Sequence, residues 1–251
     1  MFGKALEMIA PRLLWRYRIR RWDIDTGEPE ERLLAQLCRR SLCTIDVGAA
    51  NGTYTAHSLV RSSRVIAFEP RPEAALHLRN MFGTRLVLVE EVALSDADGE
   101  IAMKIPVRGP MLATIEEMNT LQSAPLDRSV TVKTRRLDSY KFASVGFIKI
   151  DVEGHEAAVL RGASETIELE RPRVMVEIEE RHNPGSIQTV SRWFADRDYN
   201  GSFLLENKIV SISRFRAGEH QNRANFPGNN KRIGPYINNF IFLPANQPGL
   251  I

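Results

Sequence analysis

The order Cys43-Thr44-Ile45-Asp46-Val47-Gly48-Ala49-Ala50-Asn51-Gly52 decides the fold. Its first five residues form the apolar, β-branched run of a buried strand. Glycines at 48 and 52 end that run, and without a Cβ they let the backbone turn tightly and pass close to a ligand. Thr53 to Val60 then takes helical character, so the amide donors of a helix start face the same place. A strand, a Gly-rich turn and a helix in this order open many α/β sheets, with or without a ligand at the turn.

The same alternation continues outward. Arg64 to Glu69 reads as a second strand, Pro72 to Phe82 as a second helix and Arg85 to Glu90 as a third strand. Gly146 to Ile150 and Val174 to Ile178 are further buried runs, and a helix from about Glu156 to Glu170 lies between them, stopped before Pro172. Ser186 to Arg197 is the next expected helix. Tyr199 to Leu205, Lys208 to Ile212 and Ile237 to Leu243 are expected as closing strands. Strands joined by crossover helices imply an open, largely parallel α/β sheet. Two stretches break the rhythm: 106–129, with Pro106, Gly109, Pro110 and Pro125, and 216–236, rich in Asn, Gly and Pro. Loops of that length in a compact domain are usually functional or disordered, and the functional reading expects them over the strand ends as substrate-side loops or a lid. No repeat or linker splits the chain. The expected organisation is a basic helical extension over residues 1–40 and one domain over residues 41–251.

Composition narrows the function. With 251 residues, 43% hydrophobic and 26% charged, the chain is too ordinary for a disordered tail, a collagen-like fibre or a disulfide-stapled miniprotein. Two cysteines, Cys38 and Cys43, are too few and wrongly spaced for a zinc or CxxC site, so no metal is expected. No apolar stretch approaches a membrane span, and arginines at 12, 16, 18, 20 and 21 interrupt any signal-peptide core. The expected compartment is the cytoplasm. A net charge of +3 gives no reason to expect nucleic acid. That charge is uneven: in residues 1–22, Lys4 and five arginines stand against the single Glu7. Phe2, Leu6, Ile9, Leu13 and Tyr17 recur there at helical spacing around Pro11. This broken amphipathic helix either packs across the domain or serves as an arm for weak contact with an anionic membrane surface or a partner.

Glu69 lies 23 residues after Asp46, at the end of the second strand. A carboxylate at this offset commonly accepts hydrogen bonds from ribose hydroxyls, and it disfavours a 2′-phosphate. No Gly-Lys-Ser/Thr follows Gly52, so the turn is not a P-loop. A ribose-bearing nucleoside cofactor is the physical reading. Asp151 ends the fourth main strand, where ligands gather in open α/β sheets, although an Asp there also suits a helix N-cap. Glu153 and Glu156 suit the first turn of the following helix. His155 titrates near neutrality and is either a proton carrier or a helix-start histidine. Glu177 and Glu179 share one face of their strand, and His182 follows it.

Several blocks together resemble the FkbM family of class I methyltransferases. They are Asp46-x-Gly-x-x-x-Gly, Phe68-Glu69-Pro70, Ala93-Leu94-Ser95-Asp96 with Gly99, Leu137-Asp138-Ser139, and Ile148-Lys149-Ile150-Asp151-Val152-Glu153-Gly154-His155-Glu156 with Leu160-Arg161-Gly162-Ala163. The match runs from about Ile45 to Ile178. Where that family's first motif usually has a middle glycine, this chain has Ala50. The resemblance implies a Rossmann-like, mostly parallel seven-stranded sheet flanked by helices, with S-adenosylmethionine across the strand ends. It implies Asp46 near the methionine moiety, Gly48, Ala49, Asn51 and Gly52 wrapping it, Glu69 and Pro70 at the ribose, Ala93 and Leu94 at the adenine, and Asp151 beside the cofactor. The expected reaction is O-methylation of a sugar or secondary-metabolite-like hydroxyl, with His155 as base and Asp151 as a positioning acid. Two other readings stay open: a nicotinamide-dependent oxidoreductase, and a non-catalytic cofactor-binding protein acting through its N-terminal arm.

Overall fold

Strand β1 (Cys43–Val47) is buried along its whole length and lies inside an eight-stranded sheet. In the computed structural model, residues 28–83, 85–106, 113–115, 126–225 and 234–250 are described, with Leu13, Trp15, Arg16, Tyr17 and Ile19 ahead of them. β1 pairs in parallel with β2 (Val65–Phe68), and β2 with β3 (Val87–Glu90). After β3 the chain makes a smaller sheet from β4 (Ala93–Leu94), β5 (Gly99–Pro106) and β6 (Leu126–Arg135). It returns as β7 (Val145–Ile150), parallel to β1, and β8 (Arg173–Glu177), parallel to β7. Strands β9 (Tyr199–Leu205), β10 (Lys208–Ser211) and β11 (Asn239–Pro244) complete the order β10-β9-β11-β8-β7-β1-β2-β3, with β11 antiparallel to both β8 and β9.

The expected open α/β sheet is therefore present, with two corrections. The sheet has eight strands and is mixed, because β10 adds to the edge as a hairpin with β9 and β11 runs against its neighbours. The stretch expected as a loop between two strands lies between β5 and β6, which pair antiparallel from Gly99↔Thr134 to Pro106↔Leu126, but β6 begins at Leu126, inside the expected loop. Within that stretch, Thr114 bridges Lys104, and Ala113 and Ile115 are buried. The rest of 107–125 and residues 226–233 lie outside the described residues.

Alternation along the strands sorts the two faces. Ile45, Val47, Ile148, Ile150, Val174 and Val176 face one core with Val159, Leu160, Ile167, Val190 and Phe194. Those partners come from helices α4 (Glu156–Gly162), α5 (Ser164–Glu170) and α6 (Ser186–Ala195). The other face carries Phe147, Met175 and Ile241 under Leu33, Leu34 and Leu37, the last two on the short helix α1 (Leu34–Leu37). Beside it, α2 (Thr53–Leu59) and α3 (Pro72–Phe82) cover Val65 and Ala67. Trp15 joins this second layer, fully buried and 4.7 Å from the Phe82 ring. The N-terminal stripe is thus phased differently from expectation: Leu13 and Tyr17 are exposed, while Trp15 and Ile19 pack inward. Phe2, Leu6 and Ile9 lie outside the described residues. No helix among the described residues is long and apolar enough to cross a membrane.

Candidate functional site

The carboxyl ends of β1, β2, β7 and β8 open on a cavity of about 500 Å³. Gly48, Ala50 and Asn51 follow β1 on its wall, and Phe68, Glu69, Pro70 and Arg71 follow β2. Val92, Ala93 and Leu94 contribute an apolar strip, extended by Met103, Ala113 and Ile115 from the smaller sheet. Asp151, Val152 and Glu153 follow β7, Glu177 ends β8, and Glu28 reaches in from the N-terminal side.

Chain geometry explains why these residue types stand here. Gly48 has φ +79°, and a Cβ on it would sit 1.9 Å from the Asp151 carbonyl oxygen. Only glycine lets the β1 turn come that close to the β7 end. The Gly48 amide donates to the Phe68 carbonyl at 2.9 Å, and the Asp151 amide to that of Val47 at 3.0 Å, so three strand ends are tied together. Ala50 takes the left-handed conformation (φ 48°) where the family usually has glycine, and its amide donates to Glu69 Oε2 at 2.9 Å.

Glu69 is buried and saturated. Besides Ala50, it accepts from the Arg71 amide at 2.9 Å, Arg71 Nε at 2.8 Å and Arg71 Nη2 at 3.1 Å. Four donors match the roughly four lone-pair sites of a carboxylate. A ligand diol at Glu69 therefore requires the Arg71 guanidinium to yield contacts.

At the β7 and β8 ends the charges converge. Asp46↔Lys149 and Lys149↔Met175 are register pairs, so alternation puts Asp46, Lys149, Asp151 and Glu177 on one sheet face. Lys149 Nζ is 3.6 Å from Asp151 Oδ2 and 3.9 Å from Glu177 Oε2. Burial, reinforced by Asp151, pushes Glu177 well above the usual carboxylate range. Burial also pushes Asp46 up to about 6, against the Thr55 hydroxyl, which donates to its Oδ2 at 2.5 Å. Glu153, left-handed at φ 55°, is raised by burial and by Asp151, and its Oε2 meets His182 Nε2 at 3.2 Å. Burial, then Arg181, holds His182 down at about 4.

Of the residues expected around a cofactor, Gly48, Asn51, Glu69, Pro70, Ala93, Leu94 and Asp151 line the cavity. Asp46, Ala49 and Gly52 stand behind that wall: Asp46 bonds Thr55, Ala49 joins the apolar layer under α2, and Gly52 packs against Leu78 and Phe82. His155 and Asp151 are not brought to one wall. His155 Nε2 lies 2.9 Å from Ser95 Oγ, and its ring is not among the cavity's lining residues. Glu179 is held by Arg181 and Tyr236. Glu156 accepts from the Gly154 amide at 2.8 Å. Arg71, Lys149 and Glu28 were not singled out for chemistry from the sequence. The signal for Lys149 was there, a lysine inside the apolar run Ile148-Lys149-Ile150, on Asp151's face by period two. Glu28 had no such signal. Among the described residues no group of acids, histidines and cysteines has metal-site geometry.

The sheet order and the strand-end cavity are those of a Rossmann-like, class I methyltransferase fold. Residues 46–200 match the methyltransferase FkbM domain, well over half of the chain, and the chain belongs to that family. The 2-O-methyltransferase NoeI of Sinorhizobium fredii (strain NBRC 101917 / NGR234) is 29% identical over 140 residues, 49% of this chain and 58% of that protein. The chain thus spans under two thirds of that relative's length. The crystal structure of methyltransferase FkbM from Methylobacillus flagellatus KT superposes with a TM-score of 0.52 at 15% identity, over 96% of this chain and 57% of that one. At that identity the likeness speaks to the fold.

Proposed function

We propose that the protein is an S-adenosylmethionine-dependent methyltransferase that methylates a hydroxyl of a small molecule, a sugar or a secondary-metabolite-like compound. One observation carries the reading: a single cavity has the Gly48 turn and Glu69 on one side and the Asp151 and Glu177 carboxylates on another. The family membership supports methyl transfer, and the name of the NoeI relative supports an oxygen acceptor.

The donor set fits a nucleoside sulfonium. Phe68, Val92, Ala93 and Leu94 offer the apolar surface a purine needs, and Glu69 offers carboxylate oxygens to a ribose diol once Arg71 yields. The Asp151 side of the cavity is acidic, which suits a cationic sulfur. When bound, S-adenosylmethionine supplies an electrophilic methyl group. The protein's part is to place the acceptor oxygen in line with it, since positioning provides much of the acceleration. It also removes the hydroxyl proton. In this reading a wall carboxylate, Asp151 or Glu177, takes that proton, because His155 is engaged with Ser95.

Titration calorimetry of the whole chain with S-adenosylhomocysteine against NAD tests the cofactor. Heat with the first and none with the second is expected, and binding of NAD alone overturns the reading. A screen of hydroxyl compounds with labelled methyl donor then identifies the acceptor. With that acceptor, Asp151→Asn is expected to slow turnover about 100-fold while His155→Gln leaves it near the unaltered rate.

A further inference from the structure

Lys149 is about 1% exposed, and its ammonium sits between two strand-end carboxylates rather than in solvent. Its Nζ also lies 3.5 Å from the Ile150 carbonyl and 5.0 Å above the Tyr54 ring. Asp46, from β1, and Glu28 also face it, and Glu153 acts on the Asp151 and Glu177 pair from the turn after β7. Glu28 Oε2 accepts from the Tyr54 hydroxyl at 2.6 Å and from Asn239 Nδ2 at 3.2 Å, while Asn238 Nδ2 donates to Glu177 Oε1 at 2.8 Å. Asp151 and Glu177 both line the cavity; Lys149 stands behind them.

We propose that Lys149 is a positioning residue of the transfer reaction: its buried ammonium clamps the Asp151 and Glu177 carboxylates at the cavity wall, so that one of them is held in place to receive the acceptor's hydroxyl proton. The proposal rests on the methyltransferase reading above. In the step it serves, an oxygen lone pair forms the new bond to carbon and the carbon–sulfur pair leaves with sulfur. The O–H pair stays on oxygen and the proton passes to the carboxylate.

Charge balance carries the argument. Without a carboxylate against it the ammonium would be a bare buried cation, a state too costly to keep away from water, so the clamp has to hold an ionised partner. Burial and Asp151 push Glu177 up, and Lys149 opposes that push. Burial alone would lower Lys149, but Asp151, Glu177, Glu28 and Asp46 outweigh it and hold the ammonium above its ordinary value.

The test is a carboxyl ¹³C NMR titration of the whole chain labelled at Asp and Glu, with S-adenosylhomocysteine calorimetry beside it. Lys149→Met should carry the Glu177 titration up by about one pH unit or more, because Lys149 opposes its upward push, and Lys149→Arg should bring it back. Affinity for S-adenosylhomocysteine should stay within about threefold in both variants. A titration that does not move in Lys149→Met overturns the proposal. So does a folded variant that loses more than about tenfold in affinity, since Lys149 would then serve the cofactor. If Lys149→Met does not fold, Asp151→Asn replaces it: with one carboxylate left for the ammonium, the Glu177 titration should move down, and one that does not move overturns the clamp. Failure of the unaltered chain to bind S-adenosylhomocysteine strikes the methyltransferase reading instead, and the titration distinguishes the two failures.

Discussion

Replacing Glu69 with alanine separates two roles that the structure places on one side chain. The carboxylate neutralises Arg71, which is only 8% exposed, and it fixes the Ala50 amide in its left-handed turn. Breaking a buried pair by removing one partner costs about 3–5 kcal/mol. For a chain of this size each kcal/mol lowers Tm by roughly 2–4 °C, so Glu69→Ala should melt roughly 6–20 °C lower. The binding effect is separate. Losing charge-assisted hydrogen bonds worth about 1.5–3 kcal/mol should weaken S-adenosylhomocysteine about 10- to 100-fold. Scanning calorimetry gives the first quantity, and titration calorimetry well below the lowered Tm gives the second. The double variant Glu69→Ala/Arg71→Met removes the orphaned cation, so it should recover much of the lost Tm and none of the lost affinity. Unchanged affinity in folded Glu69→Ala would refute the assignment of the ribose to this carboxylate. Recovery of affinity in the double variant would show that the stranded guanidinium, and not the missing carboxylate, caused the loss.

Two further expectations follow from buried groups. Burial pushes the Glu156 carboxyl up to about 7 from its ordinary 4.5, so between those values the folded chain keeps a proton that the unfolded chain releases. That stability, roughly 3 kcal/mol, is complete below about pH 4.5 and is lost as pH rises through about 7. Glu156→Gln keeps an oxygen for the Gly154 amide and removes the titration, so it should be the more stable chain at pH 8 in urea unfolding; equal pH slopes for both chains would contradict this. Gly162→Ala should destabilise by about 1–3 kcal/mol in the same assay although alanine favours a helix, because its Cβ would lie 1.9 Å from the Ser95 carbonyl oxygen. A gain in stability would mean that α4 shifts freely away from β4.

The sequence made the parallel half of the sheet legible because β1, β2 and β7 are buried along their whole length and read as mostly apolar runs. Cys43–Val47 and Pro72–Phe82 are observed with the expected limits. Strands were expected on either side of 106–129, but their limits and their pairing as a separate sheet were not legible because β5 and β6 are half exposed. Glu100, Lys104, Arg128 and Lys133 interleave with Met103, Ile105, Val130 and Val132, and the prolines nearby made the stretch resemble a loop. The single helix expected from Glu156 to Glu170 is two, α4 and α5, meeting at Ala163. Its break follows from a distant contact, the approach of Gly162 to Ser95, which local periodicity does not encode. The same contact gives a physical reason for two of the family's blocks: Arg161 Nε and Nη2 hold Asp96 Oδ2 at 2.9 and 2.7 Å, beside the Gly162–Ser95 packing.

At the site, the legible residues were those whose role a backbone position fixes. Gly48 is required because the β7 end passes against it, and Asp151 lines the cavity because it stands first after a central strand. Side-chain direction was harder. An ordinary pKa near neutrality favours His155 as a base, but such a value matters only for a group that reaches the acceptor. His155 starts α4 and bonds Ser95. Period two gives a different ordering, of which the sequence offered a part: Lys149 shares a face with Asp151, and Met175 with Glu177, while the register that sets Asp46 and Met175 beside Lys149 is seen only in the fold. A lone ammonium flanked by acids on a buried face has to be paired, because an isolated buried charge is too costly. The pairing sets Lys149 against Asp151, two residues on in the Ile148–Glu156 block, and against Glu177 at the end of the neighbouring strand, so one buried ammonium touches both strand-end acids of the cavity wall.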